Sequence, residues 1–465
     1  MKTPICDYVK QYCETNAVRL HMPGHKGISK LGPEPCDITE IDGADSLYEA
    51  SGIIAESECN ATSLFESAAT FYSTEGSSQC IRAMLYLAKQ FDLHQERKQY
   101  AGSQSDHVKT LIMAYRNAHK TFLSAAALLD IEIVWAPESN QFSYLSCEPD
   151  LILLEKQIKE LKPAALYLTS PDYLGRLAPI KELADICKRY GVLLLVDHAH
   201  GAYLKYLSKS QHPIDLGADL CCDSAHKTLP VLTGGAYLHV SKSTSIFFKE
   251  QAKSALALFG STSPSYLILQ SLDLANAYLA GEYRKDLSVL VEKLHQLKSE
   301  LGEAGFLLKE QEPLKITIST KPYGYRGTEF AKLLKEQGIV CEFADPDYLV
   351  MMFSTQNKEL DFCRLKESML SIKRKPEIKE EPIAVHPCER IMSVREALFS
   401  LSENIPACES RGRILADLNV SCPPAVPIVM CGERISEEAV RAFHYYHVKS
   451  CNVVKEKISE SKRQG

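Results

Sequence analysis

The chain has 465 residues, 45% of them apolar and 24% charged, with a net charge of −6. That length accommodates two or three domains around a large core, and the charge excludes a basic field aimed at nucleic acid or an anionic membrane. No apolar run approaches the ~20 residues that span a bilayer, and Met1–Asp7 lacks the apolar core of a signal peptide. A cytoplasmic protein is expected. The 16 cysteines are scattered, without a C-x-x-C pair or zinc-ligand spacing. They read as reduced thiols that pack as small hydrophobes, and no metal is expected.

In chain order, residues 1–45 are rich in Pro, Gly and His and read as an ordered-loop arm. From about 60 to 240, short apolar runs alternate with amphipathic stretches. Strands are expected at 69–73, 111–115, 131–136, 164–169, 192–196, 218–222 and 235–240. Helices are expected at 77–91 and 181–190. This alternation implies an α/β fold with a mostly parallel central sheet covered on both faces. Ligands of such sheets bind beyond the carboxyl ends of the strands. Residues 265–300 read as one long connecting helix, 315–319 and 348–353 as strands of a smaller α/β unit, and the charged stretch 375–382 as a linker. The segment 406–427 is punctuated by Gly and Pro and leads to a final helix. The expected division is an arm at 1–45, a major domain at 46–290, a small α/β domain at 291–373 and a C-terminal domain at 374–465.

Two strand tips carry chemistry. Lys227 lies just past the run Ala218–Cys222, within Ser224-Ala225-His226-Lys227-Thr228, and Asp197 ends the run Val192–Val196. An amine and a carboxylate at neighbouring strand tips suit pyridoxal phosphate: the amine forms a Schiff base and the carboxylate pairs with the pyridinium nitrogen. Ser224, His226 and Thr228 add donors for an anion. His200 follows Asp197 closely.

Other segments have two readings each. Ser73-Thr74-Glu75-Gly76-Ser77-Ser78 lies between a strand and a helix. Gly76, Ser77 and Ser78 form either a phosphate cradle at a helix N-terminus or an ordinary helix cap. Glu75 would repel a phosphate unless it points away. His119 is either a polar loop residue or a flat partner for the cofactor ring. Ser261 and Thr262, in a hydroxyl cluster before a helix, make either a capping turn or a phosphate contact from a second subunit.

These residues resemble the Orn/Lys/Arg decarboxylase family of fold-type I, aspartate-aminotransferase-like pyridoxal-phosphate enzymes. The resemblance rests on the run His21–Gly27, on Asp37–Glu40 with Asp42–Leu47, on Arg116–Lys120, on Asp197–Gly201, on Ser224–Pro230 with Leu232–Gly235, on Thr262–Tyr266 and on Pro427–Ile435. It is closest in kind to the short arginine-decarboxylase branch that lacks an N-terminal wing domain. The resemblance implies that Lys227 carries the Schiff base, Asp197 pairs with the pyridinium nitrogen and His119 stacks on the ring. It implies that Ser77, Ser78, Ser224 and His226 hold the phosphate, with Ser261 or Thr262 from the other subunit of a homodimer. His200 would lie beside the cofactor and the reacting carboxylate. Glu75, Ala225, His198 and Cys431 depart from the family's usual Asn, Thr, acid and Pro.

The implied reaction is decarboxylation of a basic amino acid in polyamine metabolism. Arginine, giving agmatine, is favoured; lysine and ornithine are the alternatives. The substrate's distal cation needs an acid, and Glu433, Asp42 and Asp45 are the candidates. Aminotransfer is an alternative within the fold; it would need an arginine for the α-carboxylate, such as Arg326. An inactive cofactor-binding assembly subunit is the alternative from another class, against which the intact Lys227 and Asp197 argue.

Overall fold

The computed structural model describes residues 1–99, 109–139, 145–309, 312–383, 386–418 and 427–456. Its centre is a seven-stranded sheet of β1 (Ala69–Ser73), β2 (Leu111–Ala114), β3 (Glu132–Trp135), β4 (Ala165–Thr169), β5 (Leu193–Asp197), β6 (Leu220–Asp223) and β7 (Ala236–Val240). The order is β1-β7-β6-β5-β4-β2-β3, and only β7 runs antiparallel to its neighbours. The expected strands are all present, with ends shifted by one or two residues.

Side chains alternate across the pleat and feed two cores. Leu193, Leu195 and Cys222 pack on one face with Phe122 and Phe248. Leu194, Val196 and Cys221 pack on the other with Leu183 and Ile186. Adjacent cysteines thus serve opposite cores as small apolar fillers. Both faces are covered by helices, as a near-continuous apolar strand such as Leu193–Val196 requires.

A second sheet is antiparallel, in the order β10 (Phe343–Ala344), β11 (Tyr348–Met352), β9 (Lys315–Ser319) and β8 (Leu307–Lys309). A two-stranded ribbon, β12 (Ser402–Pro406) with β13 (Ser450–Val454), lies near the C-terminus beside the helix Glu437–Tyr445. Residues 419–426, within the Gly/Pro-punctuated segment, fall outside the described residues.

Two expectations are corrected. The arm opens with a helix, Pro4–Glu14, whose Ile5 and Val9 are buried in the core. Asp273 caps it by accepting from the Ile5 and Cys6 N–H groups at 3.0 and 3.1 Å. The long connecting helix is two helices, Tyr266–Ala280 and Tyr283–Glu303, broken at Gly281, which leaves helical backbone. Residues 375–382 form no regular element, yet the Lys375 and Ile378 N–H groups bond the carbonyls of Tyr323 and Lys321 at 3.2 and 3.1 Å. Among the described residues no helix is long and apolar enough to cross a membrane.

Candidate active site

Parallel pairing of β5 with β6 puts Asp197 opposite Cys222, so Asp197 and the segment after Asp223 open onto the same edge of the sheet. Asp197 is buried, with Tyr167 O–H donating to its Oδ2 at 3.3 Å and the Ala199 N–H donating to Oδ1 at 3.2 Å. Past β6, Ser224 leads into one helical turn, Ala225–Thr228, which carries Lys227.

Lys227 Nζ stands 2.9 Å from Nε2 of the buried His200. Its side chain is exposed in part, yet the groups packed around the amine strip most water from it. That burial pushes its pKa down, against the opposing pull of the Asp197 and Glu342 carboxylates. Burial likewise pushes His200 well down, helped by the Lys227 and Lys315 charges, so His200 is neutral.

Ser224 Oγ donates to Ser77 Oγ at 2.8 Å, which joins the lysine segment to the helix that begins at Gly76. Gly76 has φ +71°, a conformation that favours glycine. Its N–H is committed to the Gly234 carbonyl at 2.7 Å, so Gly76 serves the turn by its conformation and is no phosphate donor. Ser77 and Ser78 follow in the first turn, where helix N–H groups lack intrahelical acceptors. Glu75 does point away: its carboxylate accepts the Ser261 N–H at 2.7 Å.

His119 caps the helix Lys120–Leu128, its Nδ1 accepting from the Thr121 N–H at 3.2 Å, and burial pushes its pKa down. Thr121 also faces Ser78, with the hydroxyls 3.2 Å apart. His226 turns Nδ1 to the Gly235 carbonyl at 3.0 Å. Ser261 and Thr262 are exposed. The donor set fits pyridoxal phosphate: an amine with a lowered pKa, a buried carboxylate on the adjacent strand, and hydroxyls beside a helix N-terminus.

Two of the three acids expected at the substrate's distal end are otherwise engaged. Glu433 is buried and forms a bidentate pair with Arg116, Oε1–Nη1 2.7 Å and Oε2–Nη2 3.0 Å, while Oε2 also accepts the Met430 N–H. Asp45 accepts five backbone N–H groups between Ser46 and Ala55. These bonds outweigh its burial and hold it below the usual carboxylate range. Neither carboxylate has room for a substrate cation. Asp42 is exposed, and only its backbone carbonyl is bonded, by Tyr8 O–H at 2.6 Å. Arg326, considered for an α-carboxylate, pairs with Glu380 at 2.6 Å.

The site also holds residues that the sequence did not single out. Tyr173 sets its ring edge-on to His200, 5.3 Å between centroids, and its hydroxyl donates to Glu342 Oε1 at 3.1 Å. Lys315, the first residue of β9, places Nζ 3.1 Å from His200 Nδ1. Both Glu342 and Lys315 belong to the second sheet or its edge, far from Lys227 in sequence.

Beneath the strand tips lies a buried polar cluster. Asp223 Oδ1 accepts from His198 Nδ1 at 2.6 Å, and Oδ2 accepts from Nε2 of His212 and of His239, each at 3.1 Å. The tautomers agree, because Nδ1 of His212 accepts the Ile214 N–H and Nδ1 of His239 faces the Thr70 hydroxyl. Ligand-type atoms of His198, His212, Cys221 and Asp223 lie within 4.8 Å of one another. The nitrogens facing Asp223 carry hydrogens, however, so the group is a hydrogen-bonded anchor for the end of β6.

Residues 3–321 match the family described as Orn/Lys/Arg decarboxylase, major domain. The chain is 29% identical to the uncharacterized protein YaaO of Bacillus subtilis, over 95% of this chain and 93% of that protein. It is 26% identical to an arginine decarboxylase of the same organism, over 94% and 92%. In fold it is similar to lysine decarboxylase A from Pseudomonas aeruginosa, with a TM-score of 0.78 at 16% identity, covering 97% of this chain and 80% of that one. The lysine decarboxylase LdcF of Francisella novicida gives 0.74 at 17% identity, covering 97% and 81%. With the family match spanning most of its length, the chain belongs to the Orn/Lys/Arg decarboxylase family and thereby to the pyridoxal-phosphate-dependent amino-acid decarboxylases.

Proposed function

We propose that the protein decarboxylates a basic amino acid, arginine in the first place, at the cleft around Lys227, releasing agmatine for polyamine metabolism. The observation that carries this reading is the trio Asp197, Lys227 and His200, brought together at the tips of β5 and β6. Similarity to curated arginine decarboxylases over nearly the whole chain favours arginine.

Lys227 would hold the cofactor covalently through its amine. Asp197 would pair with the pyridinium nitrogen, His119 would stack on the ring, and Ser77, Ser78, Ser224 and His226 would hold the phosphate. Ser261 or Thr262 of a second copy completes the cradle in a cytoplasmic homodimer; their exposure is consistent with that.

When bound, pyridoxal phosphate supplies the sink for the electron pair left at Cα as carbon dioxide leaves. The rest falls to the chain's own groups. Tyr167 and the Ala199 N–H hold the Asp197 carboxylate in place as a fixed negative charge. Burial keeps the Lys227 amine able to lose its proton and act as a nucleophile. Neutral His200 turns Nε2 toward Nζ at 2.9 Å and orients the Lys227 amine, the group that can carry a proton back to the carbon that must regain one.

For the distal cation, with Asp42 kept as the alternative, Glu342 stands in place of Glu433 and Asp45. It is exposed, and Tyr173 fixes one of its oxygens at 3.1 Å. Its charge reaches Lys227. Glu342→Gln is expected to raise KM about tenfold with kcat little changed, since it removes a charge-assisted contact made equally before and during reaction.

The reading is tested by end-point assays of the loaded enzyme with arginine, lysine and ornithine, identifying the amine formed. Agmatine as the main product supports it. Equal inactivity on all three with cofactor bound overturns the substrate class.

A further inference from the structure

Lys315 opens the second sheet and is almost completely buried, its side chain 2% exposed. Its Nζ lies 2.9 Å from Glu312 Oε1, 3.2 Å from the Asp172 carbonyl, 3.4 Å from the Tyr173 carbonyl and 3.1 Å from His200 Nδ1. Glu312 is itself fixed, through Oε2, by the Tyr203 hydroxyl, and its N–H bonds the Gly175 carbonyl. A lysine in such a place has no surface role, and none of the residues implied by the family resemblance acts on His200 from that side.

An ammonium has three donors and no acceptor. Nζ cannot accept, so in its 3.1 Å contact with His200 the ring nitrogen Nδ1 is the acceptor and carries no hydrogen, the three ammonium hydrogens being shared among this nitrogen and the three oxygens. The neutral ring then carries its own hydrogen on Nε2, and Nε2 faces Lys227 Nζ. We propose that Lys315 is a positioning residue: it fixes the His200 proton on Nε2 and aims it at the reactive amine, from a sheet separate from the one that carries His200. The Lys227 amine accepts in this arrangement, which requires its neutral form. The lowered pKa values of Lys227 and His200 agree with that. The charged and titratable groups that face His200 are Lys227 from the turn after β6, Lys315 from β9 and Tyr173 from the loop after β4, with His119 and His198 farther out.

The proposal rests on the decarboxylase reading for the use of the oriented Lys227 amine, but the tautomer is tested without substrate. Protein labelled with 15N-histidine is loaded with cofactor and compared with Lys315→Met, the His200 signals being identified from His200→Gln. Removing the ammonium leaves Glu312 buried without its cation, so Lys315→Met/Glu312→Gln is made alongside and serves if the single variant does not fold. The wild type is expected to show hydrogen on Nε2 and none on Nδ1, and the variant a mixture of tautomers. The acid limb of kcat is expected to move to higher pH, because a cation beside His200 has gone. The rate is expected to fall about tenfold to a hundredfold, the range for removing a partner that orients a metal-bound histidine. Unchanged nitrogen spectra together with an unmoved acid limb overturn the proposal, however slow the variant is, since a merely structural lysine would lower the rate without moving either. A tautomer change in protein that decarboxylates no basic amino acid sustains the positioning role and overturns the functional reading instead.

Discussion

A Lys227→Met protein is expected to fold, to keep its unfolding midpoint, and to lose decarboxylation by at least about 10³-fold. The stability half follows from how little holds the side chain: its bond is to His200, and the residue is exposed. The activity half follows from chemistry that methionine cannot supply, since its thioether can neither form a Schiff base nor carry a proton. Borohydride reduction of the loaded wild type, followed by peptide mapping, is expected to fix the cofactor on the peptide containing Lys227. The variant is expected to yield no such peptide while still binding cofactor through Ser224, Ser77 and His119. Asp197→Asn provides the contrast: the lysine adduct remains trappable and the rate falls. Cofactor fixed at any other lysine of the wild type would end the assignment.

Asp197 and Lys227 were legible in the sequence because Asp197 ends an apolar run and Lys227 follows another by a few residues, and burial of each strand fixes where its tip emerges. The doubly covered sheet was legible for the same reason. Residues whose partners lie far along the chain were misread. Glu433 looked like a free acid, but its partner Arg116 is 317 residues away. Glu75 looked like a threat to a phosphate, until Ser261, 186 residues on, took its charge. Lys315 at the start of a strand resembles any solvated lysine, and only the packing of the second sheet against His200 gives it a buried seat. The arm's helix was hidden by the Pro-, Gly- and His-rich run that follows it, although Ile5 and Val9 lie one turn apart, and its capping carboxylate comes from Asp273. Local pattern therefore locates strand tips, while distant contacts decide which charged groups remain available for chemistry.

The largest loss of stability is expected from Asp223→Ala. Its carboxylate receives N–H groups from His198, His212 and His239, all buried, and the variant leaves those three donors without an acceptor in a region closed to water. Breaking such a buried charged network costs about 3–5 kcal/mol. Asp223→Asn is no rescue, because its amide turns an N–H toward at least one histidine N–H. The network also predicts acid sensitivity. Burial alone would raise the Asp223 carboxyl, but His212 and His198 overcome it and hold it well below the carboxylate range. Burial pushes His212 down to about 4 from an ordinary 6.5. Both folded-state values lie below the unfolded ones, so the unfolded chain takes up more protons as pH falls. Stability from His212 is complete above pH 6.5 and declines from there toward about 4, and that from Asp223 declines at still lower pH. Urea unfolding of the loaded protein at a series of pH values measures this. The wild type is expected to lose midpoint steadily below pH 6.5, and Asp223→Ala to start lower and to fall at least as steeply through that range, because the carboxylate that lifts the buried His212 has gone, while lacking the further loss from Asp223 at lower pH. Because Asp223 directly precedes Ser224, the variant is also expected to bind cofactor more weakly, as the anchor of the turn that carries Lys227 is loosened. Equal midpoints in the two proteins across the whole series would show that the three histidines find other acceptors and that the carboxylate is dispensable to the fold.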